Sequence, residues 1–570
     1  MKGLLNYLRP NYLKMSVGLM FKFAGTITDL LIPWILAYMI DEVVPLRRIP
    51  LIILWGLVMV LCSVAALVTN IVANRLAARV AGDTTEKIRH DLFSRITSLS
   101  CRQIDGFTVP SLVSRLTSDT YNVHNMVGML QRLGVRAPIL LLGGIMLTLT
   151  LDTVLTLVLL AIMPLLVLLV YFVSKKGIPL YTRLQQSVDT LVRTVRENIT
   201  GIRVIKALSR TEHEKRRFGD VNNQVVANEK LAGKVMAISN PTMNLLLNLG
   251  LTLVILVGAY RTDLGLTQPG KIIAFLTYFT IILNAMMTLT RIFVLISKGT
   301  ASFQRISEVI HAPSEPAVLP AEEKKGEDHI AFRQVSFSYH KKENSIEDID
   351  FTLKRGETLG IIGATGSGKS TVIRLLLRFY DADEGQVLID GRDIRSIPEK
   401  ELYSLFGVVF QNDVLYADTI AENIAFGRDL SHEQILKAAA CAQAREFIES
   451  KEDGFLHKLT IRGSNLSGGQ KQRLLIARAL AAMPDILILD DSSSALDYKT
   501  DSMLRKALHQ SFSNTTTLIV AQRISSIMHA DRILFMDEGK IIGYGTHEEL
   551  LDICPLYQEI AKAQLGGCHV

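Results

Sequence analysis

Five long stretches in the first 300 residues are nearly free of charged side chains, and they constrain the fold more than any other feature. Three contain no charged residue, the longest contains one aspartate, and the first contains one lysine and one aspartate. A helix needs about 20 mainly apolar residues to cross a bilayer, so the longest stretch has room for two helices joined by a hairpin near Asp152. Buried core helices of a soluble protein rarely follow one another in this way. We therefore predict six membrane-spanning helices, approximately at residues 15–40, 50–74, 134–151, 153–174, 236–260 and 272–297.

The distribution of lysine and arginine predicts which side of the membrane each loop faces. The N-terminal segment and the two long hydrophilic loops, residues 75–136 and 175–234, are basic, and basic loops remain on the cytoplasmic side. Six spans then place the N-terminus, both loops and the C-terminal half in the cytoplasm, with Arg47 and Arg48 as a minor conflict. These loops also account for most of the net charge of +7, so we predict no nucleic-acid partner.

Beyond the apolar stretches the sequence changes character. Residues 311–328, HAPSEPAVLPAEEKKGED, are rich in proline and charge, as is typical of a segment between domains. Short β-rich runs such as GETLGIIG then alternate with helical runs such as KSTVIRLLLRFY, which indicates an α/β domain with a largely parallel sheet. We predict a transmembrane domain over residues 1–305, a linker over 306–328 and the α/β domain over 329–567.

A glycine-rich phosphate-binding motif, G-x-x-x-x-G-K-S, lies between the strand TLGII and the helix TVIRLLLRFY. Backbone N–H groups of such a loop enclose the phosphates of a nucleotide, Lys369 reaches the β and γ phosphates, and the Ser370 hydroxyl binds Mg²⁺. The chain is therefore predicted to bind a nucleoside triphosphate. The predicted contacts in this motif are Gly363, Ala364, Thr365, Gly366, Ser367, Gly368, Lys369, Ser370 and Thr371.

The apolar run ILILD ends in Asp490, about 120 residues after the phosphate-binding loop. A strand that ends in aspartate is a weak signal by itself, but together with the loop it predicts the carboxylate that holds Mg²⁺, usually through water. A second acid, Asp491, follows directly. Its position raises the question of whether it works as a catalytic base.

The run NLSGGQKQRLLIARAL, residues 465–480, resembles the signature of ATP-binding cassette (ABC) proteins, and nearly the whole chain resembles a half-transporter of the exporter type. The resemblance implies a multidomain membrane protein with an all-α six-helix transmembrane domain and an α/β P-loop NTPase domain that binds ATP and Mg²⁺. It also implies that two such domains dimerise head to tail, so that the signature of one chain completes the ATP site of the other. The signature residues lent to the partner are Leu466, Ser467, Gly468, Gly469 and Gln470.

The same resemblance assigns further roles by position. Tyr339, in VSFSY, matches the aromatic residue that stacks on adenine. Gln411, in VVFQNDVL, matches the glutamine that contacts Mg²⁺ and the attacking water, so the implied metal ligands are Ser370, Gln411 and Asp490. Residues 111–119 and 201–210 match the coupling helices that dock on the nucleotide-binding domains. The loop that crosses the dimer interface is matched by Ser494, Ala495, Leu496 and Asp497.

Two positions depart from the family pattern at the catalytic centre. The family normally has glutamate after the Mg²⁺-binding aspartate, whereas this chain has Asp491, whose side chain is one methylene shorter. An error of about 1 Å in the position of a catalytic group costs on the order of 10²-fold in rate. The family's switch histidine is replaced by Gln522, which donates a hydrogen bond but carries no positive charge. A weaker third departure is Ile461, where exporters commonly have glutamate.

These departures favour a degenerate ATP site that binds nucleotide and hydrolyses it slowly, with Asp491 and Gln522 in the catalytic positions. The intact signature would serve a homologous half-transporter that supplies the missing glutamate and histidine. The pattern resembles one subunit of a bacterial heterodimeric multidrug exporter in the cell membrane. A fully active homodimer that tolerates both substitutions is the alternative.

The sequence constrains the transported substrate least. The resemblance implies an amphipathic small molecule, a drug or a lipid, that leaves the cytoplasm or the inner leaflet through a protein in contact with membrane lipid. A peptide exporter and an ATP-gated regulator without a pumped substrate are the alternatives. Lys22, Asp29 and Arg291 lie within the predicted spans, where such charges either face a substrate cavity or have structural partners.

Overall fold

The computed structural model describes residues 2–313, 318–320, 328–339, 344–492 and 495–565. The chain divides into two compact units. The first unit consists of Met1–Ser98 and Thr108–Ala312, and the second unit consists of Leu99–Phe107 and Pro313–Val570. The second unit therefore contains a short segment from the N-terminal third of the chain in addition to the predicted α/β domain.

In the described part of the chain, ten α-helices precede the first strand. They are α1 (Lys2–Leu8), α2 (Tyr12–Tyr38), α3 (Ile49–Thr97), α4 (Cys101–Phe107), α5 (Val109–Ser114), α6 (Thr120–Leu151), α7 (Thr153–Thr200), α8 (Ile202–Ala207), α9 (Thr211–Asp263) and α10 (Pro269–Ile310). Helix α4 belongs to the second unit and the others to the first. An α-helix rises about 1.5 Å per residue, so α3, with 49 residues, extends far beyond the roughly 30 Å of bilayer hydrocarbon. This length agrees with the expected continuation of membrane helices beyond the bilayer, which stays a prediction.

The apolar helical segments agree with the predicted spans in position. Five are long and apolar enough to cross a membrane, namely Gly3–Leu46, Ile49–Thr97, Val109–Leu151, Pro241–Asp263 and Pro269–Ile310. The sixth predicted span, 153–174, coincides with a shorter apolar segment of α7, Thr153–Leu169. Helices α6 and α7 are separated at Asp152, where the hairpin is predicted. The carboxylate of Asp152 caps α7 by accepting from the backbone N–H groups of Val154 and Leu155 at 2.9 and 3.2 Å.

The helices of the first unit pack through buried apolar side chains of α2, α7 and α10. The Tyr278 hydroxyl, fully buried in α10, donates to the backbone carbonyl of Leu30 in α2 at 2.5 Å. Gly250 of α9 permits a close approach to α10, because a Cβ atom at this position would lie 2.2 Å from Cζ of Phe279. Small residues of this kind allow membrane helices to pack closely without a hydrophobic driving force.

The second unit contains two sheets in its described residues. The strands are β1 (Ile330–Phe337), β2 (Ile346–Leu353), β3 (Thr358–Gly363), β4 (Glu384–Ile389), β5 (Arg392–Asp393), β6 (Phe406–Val409), β7 (Ile486–Asp490), β8 (Thr516–Val520), β9 (Arg532–Asp537) and β10 (Lys540–Gly545). An antiparallel sheet has the order β2-β1-β4-β5, and a larger sheet has the order β10-β9-β3-β8-β7-β6, in which all pairs except β9–β10 are parallel. The predicted largely parallel sheet is confirmed, and the antiparallel sheet is an addition.

Nine α-helices lie between or after these strands in the described part of the chain. They are α11 (Lys369–Leu376), α12 (Glu399–Ser404), α13 (Ile420–Ala425), α14 (His432–Cys441), α15 (Arg445–Glu449), α16 (Gly468–Leu480), α17 (Tyr498–Ser511), α18 (His547–Ile553) and α19 (Pro555–Leu565). All five residues of β7 are buried, as expected for a parallel strand covered on both faces. Because β3, β8, β7 and β6 are neighbours and parallel, the segments that follow them meet at one edge of the sheet.

Candidate functional site

A cavity of about 380 Å³ lies at this edge, where β3, β7 and β8 end. Its walls combine the phosphate-binding loop, the acid pair after β7 and the polar residue after β8. The predicted site residues among its walls are Tyr339, Thr365, Gly366, Gly368, Lys369, Ser370, Thr371, Gln411, Asp490, Asp491 and Gln522. Residues more than 180 positions apart in the sequence are thus brought to a single cavity of a size suited to a small ligand.

The loop between β3 and α11 has a backbone that requires glycine. Gly368 has φ = 95°, and a Cβ atom there would lie 2.5 Å from Cγ2 of Ile346 and 3.1 Å from the carbonyl oxygen of Ser345. Both the left-handed conformation and the lack of space exclude a side chain. This turn directs the N-terminus of α11, with its unpaired backbone N–H groups, toward the cavity, which is the arrangement that binds phosphate.

Lys369, the first residue of α11, lies over this loop. Its Nζ donates to the carbonyl oxygens of Gly363 and Ala364 at 2.9 and 2.6 Å, and lies 3.4 Å from Oγ of Ser367. Burial lowers the pKa of Lys369, and the nearby acid pair opposes this effect. These hydrogen bonds hold the ammonium group against the phosphate-binding loop, where a bound phosphate would contact it.

The predicted Mg²⁺ ligands lie together. Asp490, at the end of β7, is 7% exposed, and the Ser370 hydroxyl donates a hydrogen bond to it. Burial, followed by the charge of Asp491, raises the pKa of the Asp490 carboxyl group. Among the described residues no group of three or more His, Cys, Asp or Glu could hold a metal. A hydroxyl, a carboxylate and the Gln411 amide oxygen are hard ligands that fit Mg²⁺, which typically uses one or two protein carboxylates together with substrate phosphates.

Asp491 accepts hydrogen bonds from two side-chain amides. Nε2 of Gln411 lies 3.4 Å and Nε2 of Gln522 lies 3.2 Å from its Oδ2 atom. Its backbone adopts φ = 51°, a left-handed conformation that aspartate tolerates better than most residues. Its backbone N–H donates to the carbonyl of Val520 at 3.0 Å, which ties the acid to β8. The two residues that depart from the expected catalytic pattern are therefore in direct contact.

Tyr339 forms part of the cavity wall beyond α11. Its hydroxyl accepts from Nη1 of Arg374 at 3.0 Å and lies 3.3 Å from Oγ1 of Thr371. Its ring meets those of Phe337 and Tyr380 edge to face, with centroids 4.9 and 5.1 Å away. These contacts fix the ring at the side of the phosphate-binding helix, at a position that suits the predicted contact with a base.

The signature residues Leu466–Gln470 and the described part of the interface loop do not line this cavity. Ser467 caps α16 through a reciprocal pair of bonds with Gln470, at 3.3 and 3.1 Å. Helix α16 contacts the interface loop, since Gln472 accepts from the backbone N–H of Ala495 at 3.0 Å. Ala495, Leu496 and Asp497 are described, and Asp497 caps α17 by accepting from the backbone N–H of Thr500 at 3.1 Å. Ser494 lies outside the described residues.

The sequence motifs did not predict that α4 packs within the second unit. A second cavity, of about 690 Å³, lies between α4 and the end of β1, and Tyr339 and Arg374 contribute to its wall. The Tyr380 hydroxyl donates to Oδ2 of Asp105 in α4 at 2.5 Å. The segments predicted to dock on the nucleotide-binding domains, 111–119 and 201–210, belong to the first unit, so their docking remains a prediction. No motif marks Asp105 or Tyr380 in the sequence.

Comparisons with known proteins agree with this geometry. Residues 15–286 match the family model of the ABC transporter transmembrane region, and residues 346–494 match the ABC transporter model. The uncharacterized ABC transporter ATP-binding protein YfiB of Bacillus subtilis (strain 168) is 35% identical over 99% of both chains. The putative ABC transporter ATP-binding protein exp8 of Streptococcus pneumoniae serotype 4 is 33% identical over 100% of this chain and 97% of its own length.

A solved structure of a bacterial Atm1-family ABC exporter with ATP bound has the same fold, with a TM-score of 0.83 over 97% of this chain and 99% of that chain, at 24% identity. The polypeptide is thus a multi-pass membrane protein whose nucleotide-binding domain is cytoplasmic, and its family implies ATP binding and hydrolysis. With both halves matched and full-length relatives above 30% identity, the chain belongs to the ABC transporter family and has the fold of an ABC exporter.

Proposed function

We propose that this chain is one subunit of a heterodimeric exporter, and that its own ATP site binds nucleotide but hydrolyses it slowly. The observation that carries the proposal is the contact of Asp491 with the amides of Gln411 and Gln522. A catalytic base in this position must accept a proton from the attacking water. Here Oδ2 of Asp491, whose side chain is one methylene shorter than that of glutamate, already accepts two amide hydrogen bonds. Gln522, which stands in the position of the family's histidine, carries no charge.

The binding elements support retention of nucleotide at this site. Lys369, the phosphate-binding loop and the Ser370–Asp490 pair surround the cavity, and Tyr339 is fixed beside them. Together they would hold the triphosphate and Mg²⁺, which supplies charge neutralisation on the phosphate oxygens. Hydrolysis, by contrast, depends on a group placed within about 1 Å of its productive position.

The signature supports a role in the partner's site. The capping box of Ser467 and Gln470 fixes the start of the 13-residue helix α16. The N-terminus of a helix favours an anion. Ala495, Leu496 and Asp497, with Ser494, would form the loop that meets the partner. The partner would then be a homologous half-transporter with glutamate and histidine at the positions of Asp491 and Gln522.

The substrate that we propose is an amphipathic small molecule, a drug or a lipid, moved out of the cytoplasm or the inner leaflet. The six spans and the domain boundaries at 305 and 329 are part of the proposal. Nucleotide binding would favour the closed dimer of nucleotide-binding domains, and hydrolysis at the partner's competent site would release it.

The test is ATP hydrolysis by the chain purified alone in lipid, and again after co-expression with a homologous half-transporter that carries the glutamate and the histidine. We expect slow hydrolysis alone and fast hydrolysis together. Mutating the partner's glutamate should abolish the fast rate, whereas Asp491→Ala should only reduce it. Fast hydrolysis by the single chain, lost in Asp491→Ala, would show a homodimeric pump with a competent base.

A further inference from the structure

A cluster of basic side chains lies between α2, α3 and α6 of the first unit. Lys22 of α2 is 3% exposed, and its Nζ donates to Oδ1 of Asn70 at 2.9 Å and to Oδ1 of Asn74 at 3.2 Å, both in α3. Arg132 and Arg136 of α6 lie within electrostatic range of Lys22. The buried ammonium group therefore has neutral hydrogen-bond partners and two cationic neighbours.

One carboxylate of the described residues offsets these charges. Oδ2 of Asp29, about two helical turns after Lys22 in α2, lies 3.0 Å from Nη2 of Arg136. Lys22 and Asp29 thus each bind a different helix instead of each other. Three cations and one anion leave an excess of two positive charges in a part of the protein where uncompensated charge is costly.

The cluster also contains a donor without an acceptor. Nε of Arg136 is buried and has no hydrogen-bond partner in the described part of the chain, although buried donors are normally paired. Arg132 forms its bond within its own helix, from Nε to the carbonyl of Gly128 at 3.1 Å. The cluster is accessible, because the side chain of Arg136 is 39% exposed and Asn74 is exposed. The cluster is therefore short of negative charge and is open to solvent at the side chain of Arg136.

We propose that Lys22, Arg132 and Arg136 form a site that binds the anionic group of an amphipathic substrate. The inference rests on the proposed export function and names the substrate class. A phosphate or carboxylate would accept from the partly exposed guanidinium of Arg136 and balance the excess charge, and charge-assisted bonds of this kind are the strong ones. The apolar part of the substrate would lie against the apolar spans. A cationic amphiphile of the same size would be repelled.

The two tryptophans of the chain make the site measurable. Trp34 lies on α2 and Trp55 on α3, the helices that carry Lys22 and its two asparagines. Energy transfer from tryptophan to a dansyl group therefore reports binding to this part of the protein. The probes are dansyl-aminoundecanoic acid and a dansyl-alkyl-trimethylammonium of equal chain length, added to the full chain in phosphatidylcholine nanodiscs.

We expect the anionic probe to bind, and Lys22→Gln and Arg132→Gln each to weaken it by roughly tenfold or more. Glutamine at position 22 keeps a hydrogen-bond donor opposite the asparagines, and the hydrogen bond of Arg132 to Gly128 lies within its own helix. The matched control is Lys14→Gln, since Lys14 is also on α2 but pairs with Asp83 at 2.8 Å outside the cluster. This control should leave the affinity unchanged, and fluorescent ATP-analogue binding should be equal in all variants.

Equal affinity of the wild type for both probes, or unchanged affinity of both cluster variants, would overturn the proposal. Competition by phosphatidic acid added to the nanodiscs would identify a lipid phosphate as the source of the anion, and lack of competition would identify a soluble amphiphile. The binding needs neither ATP nor a partner chain. A failed hydrolysis test of the heterodimer would therefore leave this result intact.

Discussion

The side-chain amide of Gln522 donates a hydrogen bond of 3.2 Å to Oδ2 of Asp491. The two positions at which this chain departs from the catalytic pattern of its family are therefore in contact across the ends of β7 and β8. Residues in contact do not act independently, so the effects of changing them should not add. The proposed slow hydrolysis at this site should therefore depend on both residues together.

Restoring the pair should restore hydrolysis, whereas restoring either residue alone should not. We expect Asp491→Glu with Gln522→His to raise the rate at this site on the order of 10²-fold. Each single change should raise the rate much less, because either Asp491 or Gln522 then remains in the catalytic position. The assay is ATP turnover in the co-expressed heterodimer whose partner site has been inactivated. Additive effects of the two single variants would contradict the coupling.

The substitution Asp491→Glu should also lower the stability of the protein. Asp491 has φ = 51°, and glutamate lacks the short side chain that helps aspartate to adopt this conformation. We expect Asp491→Glu to lower the free energy of unfolding by about 1 kcal/mol. Chemical denaturation without nucleotide measures the loss, with Asp491→Asn as a control, because asparagine tolerates this conformation.

Asp490→Asn should stabilise the nucleotide-free protein and weaken its Mg²⁺-dependent nucleotide binding. Burial raises the pKa of Asp490, so the folded state binds the proton more tightly than the unfolded state does. The cost of burying the ionised carboxylate is present at neutral pH and disappears as the pH falls through the raised pKa toward the ordinary value. The gain in Tm from Asn should therefore be largest near pH 7 and shrink on acidification. A gain that is constant with pH would contradict this explanation.

Gly368→Ala should abolish nucleotide binding, and Gly366→Ala should weaken it less. Both residues have positive φ, at 95° and 89°, so both substitutions introduce backbone strain of about 1–2 kcal/mol. They differ in space: a Cβ at Gly368 would lie 2.5 Å from Ile346, whereas a Cβ at Gly366 would have no atom within 4 Å. Binding of a fluorescent ATP analogue measures the difference. Equal losses in the two variants would show that strain alone matters.

Tyr380→Phe should loosen α4 without changing the affinity for nucleotide. The phenylalanine removes the hydrogen bond to Asp105, a donor to a charged group that contributes roughly 1.5–3 kcal/mol in favourable cases and less where solvent reaches it. Hydrogen–deuterium exchange of residues 101–107 should increase. Tyr403→Phe is the control, because its ring lies nearby against Phe379 and no bond to α4 is lost. Unchanged exchange in Tyr380→Phe would show that other contacts hold α4.

The motifs identified residues that line a single cavity, because their chemistry is local or lies at strand ends. The glycines, Lys369 and Ser370 form a continuous loop, and Asp490 ends a strand whose apolar run marks it as parallel and buried. Parallel order then brings these segments to one edge of the sheet. Tyr339 lines the cavity and Ser467 caps α16, while the roles predicted for them, stacking on adenine and completing the partner's ATP site, stay proposals.

The sequence by itself determined the two domains, the apolar helices, the phosphate-binding loop and the departures at Asp491 and Gln522, because each depends on composition, periodicity or contiguous residues. Only the tertiary structure decided which side chains meet. It paired Lys22 with Asn70 across 48 residues and Tyr380 with Asp105 across 275. Such contacts depend on how helices and strands pack, and no local pattern records the partner, since a buried polar group accepts any neighbour that satisfies it.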